Sequence, residues 1–164
     1  MREKAIIAVA IILACSGFTQ SSSNSPQKES RVTTHARGTF EIKLTPQPSD
    51  DKADENLGRF TFVKQLHGDL EGTSKGQMLT GGDVKKGSGG YVAIEKVTGT
   101  LNGRTGSFIL QHSGSMAHGE QHLVITVVPD SGTDQLTGLS GTFTIIIADG
   151  KHSYDFEYTL PKAP

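Results

Sequence analysis

Tryptophan is absent from the 164-residue chain, and cysteine occurs once, at Cys15. A lone cysteine excludes an intramolecular disulfide framework and the multi-cysteine zinc sites, so the fold must rest on its own hydrophobic core. Excess charge of either sign is missing too, with a formal net charge of −1. No basic field is available to gather nucleic acid, and no acidic block reads as a tail. Beyond Cys15 no segment of useful length repeats with a helical period, and the longest apolar run is Ala5–Ala14. As a helix that run would reach about 15 Å, well short of a ~30 Å hydrocarbon core, so it does not span a membrane. What fills the rest is 20 glycines set between short runs of Val, Ile, Thr, Phe and Tyr. That is the composition of an all-β protein.

The charged start "MREK" followed by "AIIAVAIILA" has the layout of a secretory signal. The run closes on "ILAC", Ile12 to Cys15, which resembles a bacterial lipobox. In that motif the cysteine is lipidated and becomes the first residue of the mature protein. Leu13 is a less typical occupant than a small residue. The alternative is an ordinary signal peptide cut a few residues later, with Cys15 removed. Both imply export, as a cell-envelope lipoprotein or as a periplasmic or secreted protein, touching a membrane only through a lipid anchor. Residues 1–15 are therefore assigned to the signal segment and 16–32, rich in Ser, Gln and Asn, to a flexible tether. The folded domain is expected over 33–164.

Within that domain eight strand patterns follow one another. Phe40, Ile42 and Leu44 alternate with charged residues, and Phe60, Phe62 and Leu66 mark the next strand. Leu70 to Leu79 sets small residues (Gly72, Ser74, Gly76) against polar ones. Two strands flank Asn102-Gly103, a sixth holds Leu123, Ile125 and Val127, and the last two flank Asp149-Gly150. Mostly short turns predict an antiparallel up-and-down sheet, closed into an eight-stranded barrel that leaves no exposed edge. A β-sandwich competes, but it needs long crossovers, and only the stretches near 46–58 and 80–90 offer the length.

Two hairpins permit register arithmetic. A two-residue Asn-Gly loop pairs Leu101 with Arg104, which sets Val97 opposite Phe108, Glu95 opposite Leu110 and Ala93 opposite His112. Glu95 and His112 then share a mostly apolar face with Tyr91, diagonally placed and within reach. The Asp-Gly loop likewise sets Ile145 against Tyr154, Phe143 against Phe156 and Ile147 against His152. For "HGD", 67–69, a three-residue loop puts Lys64 opposite Gly72. A bulge at a nearby glycine would reverse part of this.

The blocks "KQLHGDLEGTSKGQML", "GYVAIEKVTGTLNGRTGSFILQHSG", "VVPDSGTDQLTGLSGT" and "DGKHSYDFEYTLP" resemble a bacterial domain-of-unknown-function family. That family is grouped with the allene oxide cyclase-like, calycin-like barrels. The resemblance spans Thr33 to Pro161 and implies an eight-stranded antiparallel barrel. It implies no activity, and the catalytic residues of allene oxide cyclase do not map onto these blocks.

Three classes of function stay open. One is a binder of a small apolar or amphipathic ligand or of a protein partner, without turnover. Its candidate contacts are Lys64, Tyr91, Glu95, His112, His152 and Tyr158. Another is an isomerase or cyclase in which Glu95 and His112 form an acid–base pair on a hydrophobic substrate. The third is a structural module of the cell envelope, with Val92, Ile94, Ile109 and Val124 on the outer face suited to a homo-oligomer. The bland reading of Glu95 and His112 is a buried hydrogen-bonded pair, joined by Lys64, that satisfies polar groups and pins the register. No metal or cofactor is expected. His118 falls in a turn, away from His112 and His122, and no phosphate loop or nucleophile elbow surrounds Ser131 and Asp134.

Overall fold

The computed structural model describes residues 32–48, 56–83 and 86–161. The signal segment, Cys15 and the tether through Arg31 lie outside them. Strands β1 (Thr34–Gln47), β2 (Leu57–Gly68), β3 (Leu70–Asp83), β4 (Ser88–Leu101), β5 (Arg104–Ala117), β6 (Glu120–Val127), β7 (Ser140–Ala148) and β8 (Lys151–Thr159) follow in chain order. They close into one antiparallel up-and-down barrel, β1 pairing with β8.

Turn chemistry accounts for much of the register. Asn102 and Gly103 both have positive φ (46° and 82°), as do Asp149 and Gly150 (51° and 72°). This is the paired left-handed geometry of the turn whose twist matches a hairpin. The β4–β5 ladder then runs unbroken from Leu101↔Arg104 to Gly89↔Met116, with Ala93↔His112 and Glu95↔Leu110 as expected. Ile145↔Tyr154, Phe143↔Phe156 and Ile147↔His152 also hold.

Two expectations need correction. The β2–β3 hairpin pairs Lys64 with Ser74, not Gly72, and Leu66 with Gly72. The turn is tighter than three residues, and Gly68, at φ 110°, takes the bend. Because the slip is by two, Lys64 stays on the inner face but gains Ser74 as its neighbour. The glycine-rich stretch near 80–90 is mostly strand: Gly81 pairs with Gly90 and Gly82 with Gly89. Hydrogen bonding to a second neighbour, β5, carries Gly89 and Gly90 past their weak strand preference.

The interior is divided along the barrel axis. One end is a packed aromatic plug. Phe108 stacks on Phe156 at 5.6 Å, Phe143 on Tyr154 at 5.1 Å, and Tyr158 lies 5.3 Å from Phe156. The Tyr154 hydroxyl accepts the Leu70 N–H at 3.0 Å, so this buried phenol is satisfied. The connection after β6 folds over this end as a 3-10 turn, Asp134–Leu136, and buries Leu136 and Leu139. Ser131 is part of that lid: its hydroxyl accepts from Ile109 N and donates to Val128 O, which leaves it a structural role. Between β6 and β7 a single pairing, Thr126↔Thr142, closes the barrel.

Candidate functional site

Above the aromatic plug the barrel is hollow. A cavity of about 420 Å³ is walled by apolar side chains, among them Phe40, Ile42, Met78, Leu123 and Ile145. Its volume lies in the range of small-molecule sites. Leu44, Thr80, Met116 and Ile147 line its outer part, on the side of the Ala117–Glu120 and Ala148–Lys151 turns. Lys64 and His112 line its inner part.

That inner part is a polar cluster assembled from four successive strands. β2 supplies Lys64, β3 Ser74, β4 Glu95 and β5 His112. Glu95 Oε2 accepts from Lys64 Nζ and from His112 Nε2, each at 2.8 Å. Glu95 Oε1 accepts from the Ser74 hydroxyl. The cluster is nearly dry, with Lys64 2%, Glu95 1% and His112 3% exposed. Gly76, which faces Glu95 across the β3–β4 ladder, leaves room beside the cluster for the Phe62 ring. A side chain there would strike the Phe62 ring, since an added Cβ would sit 2.1 Å from Cζ. Lys64 Nζ lies 5.0 Å from the centre of the Phe40 ring and 5.4 Å from that of Phe62, which compensate part of its lost hydration.

Burial by itself pushes the Glu95 carboxyl up. The hydrogen bond from His112, the charge and hydrogen bond of Lys64, and the Ser74 hydroxyl together outweigh it and hold the pKa at about 2. Glu95 is therefore a carboxylate that can only accept hydrogen bonds, and His112 Nε2 must carry a proton. Tyr91, on the cavity wall with its ring 6.4 Å from that of His112, has its phenol pKa raised by burial and by the Glu95 charge.

Five of the six expected contact residues converge here. Lys64, Tyr91 and His112 line the cavity, Glu95 lies behind the last of these, and His152 joins the wall with its ring 5.1 Å from that of Phe40. Tyr158 does not. It is buried in the aromatic plug at the other end, where its hydroxyl accepts from Asn102 Nδ2 at 2.9 Å. Sequence reasoning missed Ser74 as a partner of Glu95 because the glycine-rich connection between β3 and β4 gave no register for that pair of strands. It also left Met78 and His122 out of the site, although the alternation of β3 places Met78 on the same face as Ser74 and Gly76. His118 sits at a positive-φ turn position, φ 52°. Among the described residues no three His, Cys, Asp or Glu side chains are grouped to hold a metal ion.

Residues 36–158 match the model of the family described as Protein of unknown function (DUF3224). The chain belongs to this family. A crystal structure of a protein with unknown function from the DUF3224 family of Shewanella oneidensis MR-1, at 1.84 Å resolution, is similar with a TM-score of 0.75. It is 45% identical and covers 80% of this chain and 100% of its own. No curated protein matches the chain. Neither the DUF3224 description nor that of the Shewanella protein carries an activity, so the barrel's own geometry is what bears on function.

Proposed function

We propose that this DUF3224 barrel is an exported binding protein for a small amphipathic molecule. The observation that carries the reading is the apolar cavity of about 420 Å³ with a buried cation and an imidazole at its inner end. An apolar body would displace water from Ile42, Met78 and Ile145. A polar head would meet Lys64 and His112, whose remaining hydrogen-bonding capacity points to a ligand that is not purely hydrocarbon. The eight-stranded closed architecture is compatible with a grouping among the allene oxide cyclase-like barrels. That grouping bears on fold alone. Export rests on the signal-like residues 1–15, with Cys15 as the lipid anchor. Mass spectrometry of the mature N-terminus tests it, and an unmodified start beyond Cys15 would remove the anchor.

Native mass spectrometry of the purified protein tests ligand binding. A co-purifying small molecule at one per chain is expected, retained in the wild type and lost in Ala93→Phe. Ala93 lies on the cavity wall directly across the β4–β5 ladder from His112, so a phenyl ring there occupies the space above the polar cluster. The expected loss of affinity is about tenfold or more, equivalent to roughly 1.4 kcal/mol. Equal occupancy in a correctly folded Ala93→Phe protein would place the ligand elsewhere.

A second surface supports self-association. Val63, Leu79, Val92 and Ile94 are 46 to 54% exposed on the outside of β2, β3 and β4. They line a shallow groove with Lys75 and Lys96 at its edges. A second copy of the chain would cover these side chains. Light scattering is expected to show a dimer or higher oligomer that Leu79→Lys converts to monomer, and a wild-type monomer at all concentrations would refute it.

A further inference from the structure

Glu95 leaves His112 with a defined chemical polarity. A carboxylate can only accept, so whenever the imidazole is in its neutral form its proton is on Nε2 and its lone pair on Nδ1. No second hydrogen bond to His112 occurs among the described residues, and no buried polar side-chain atom there lacks a partner. Nδ1 therefore reaches open space, and His112 borders both the cavity and the groove along β2–β4. In that neutral form Nδ1 is a bare nitrogen with no protein partner, on a side chain that lines the hollow interior and is held by a buried carboxylate behind it.

The second component is Lys64, bonded to the same oxygen of Glu95 as His112. One of its three N–H bonds goes to Glu95, and it borders the same cavity. A base beside a fixed positive charge, in surroundings with little water, is suited to one class of reaction. It can remove a proton from carbon next to a carbonyl while the cation stabilises the oxygen that becomes negative. Ser74 is not available as a nucleophile, because its hydroxyl is committed to Glu95 beneath the cavity.

We propose that the cavity is a proton-transfer site for an apolar enolisable ketone, with His112 Nδ1 as the base and Lys64 as the group that binds the enolate oxygen. This rests on the ligand-binding reading and names the chemistry of the bound head. His112 takes the proton from the carbon beside the carbonyl. The C–H pair becomes the carbon–carbon double bond of the enolate, and the carbonyl π pair moves to oxygen against the Lys64 ammonium. The imidazolium, with Nε2–H still held by Glu95, then returns the proton. Return to the same carbon, after the Nδ1 proton has exchanged with water entering the open cavity, puts solvent hydrogen on that carbon. Return to the far carbon of a β,γ-unsaturated ketone gives its conjugated isomer. Neither outcome needs an oxidant, a reductant or a co-reactant. Glu95 is a positioning residue: it holds the tautomer and stabilises the imidazolium without touching the substrate.

Methyl heptyl ketone in deuterium oxide, followed by proton NMR, tests both levels at once. Saturation transfer from protein to ketone reports binding, and loss of the α-proton signal reports enolisation. With wild-type protein, exchange about a hundredfold or more above buffer is expected. His112→Gln keeps an N–H donor for Glu95 and is expected to bind the ketone while exchange falls to the buffer rate. Ala93→Phe leaves the polar cluster intact and is expected to abolish both, which ties exchange to the cavity; should His112→Gln fail to fold, the ring-proton measurement on the wild type tests the base. Proton–nitrogen NMR of the His112 ring is expected to show the proton on Nε2 with Nδ1 bare, and Glu95→Gln is expected to disturb that pattern. Saturation transfer without exchange would overturn the enolisation proposal and leave the binding proposal standing. Absence of saturation transfer would remove both. Undiminished exchange in folded His112→Gln, or a ring proton on Nδ1 in the wild type, would overturn the choice of base.

Discussion

Glu95→Ala is expected to destabilise the barrel by about 3–5 kcal/mol, because it leaves Lys64 as an uncompensated charge in the interior. For a chain of this length the melting temperature should fall on the order of 10 °C. The double variant Lys64→Met with Glu95→Leu should recover the part of that loss due to the unpaired charge, while Ser74 and His112 still lack their acceptor. The same carboxylate sets the acid limit of the fold. Its folded pKa of about 2 lies below its ordinary value of 4.5, so the folded state binds this proton less readily than the unfolded chain. The contribution is fully present above pH 4.5 and is lost as pH falls towards 2. Its full size is about 3 kcal/mol, less whatever water penetration screens. Urea unfolding across that window should show a steep loss of stability in the wild type and a flatter one in Glu95→Ala. Parallel curves would mean that Glu95 is not the group that titrates there.

Phe156→Ala is expected to cost about 3–5 kcal/mol by a different mechanism, loss of transfer free energy plus an unfilled cavity. Phe156 is fully buried and stacks on Phe108, with Phe143 and Tyr158 against its other sides. Closely packed rings on rigid strands cannot collapse into the void, which places the value towards the upper end. The plug is separate from the cavity lining, as Phe156 contributes nothing to the cavity wall. Ligand affinity per folded molecule should therefore be unchanged in Phe156→Ala. Equal losses of stability and affinity would show that plug and cup form one unit. Chemical denaturation read beside a binding isotherm separates the two quantities.

These two variants divide the interior as the structure does. One end is an apolar plug that stabilises, and the other is a cup whose polar cluster costs desolvation and is retained only by mutual satisfaction of its groups. Lys64, Ser74 and His112 all bond to Glu95, so the cluster hinges on that carboxylate and its removal leaves the other three unpaired at once.

Much of this arrangement is legible in the amino-acid sequence. Period-2 alternation marks the eight strands, and the chemistry of Asn102-Gly103 and Asp149-Gly150 sets two registers residue by residue. From the first register alone, Glu95 and His112 fall on one face within reach of each other. The Lys64–Ser74 pairing is not legible, because Gly68 allows a tight turn that "HGD" does not distinguish from a looser one. Tyr158 is misplaced for a related reason. Its alternation shows that it faces inward, but not at which end of the axis it sits.

Local pattern by itself determined which residues face inward, since the pleat has a strict period and two turns have strong conformational preferences. It also determined that the fold must be held by a core and not by crosslinks. Only the tertiary structure decided where along the barrel the interior is filled and where it is hollow. That depends on strand stagger and on the sum of side-chain volumes from eight strands at each level, a quantity no single hairpin contains. The same summation brought Lys64, Ser74 and His112 onto the one carboxylate of Glu95 and set His112 in the cavity wall.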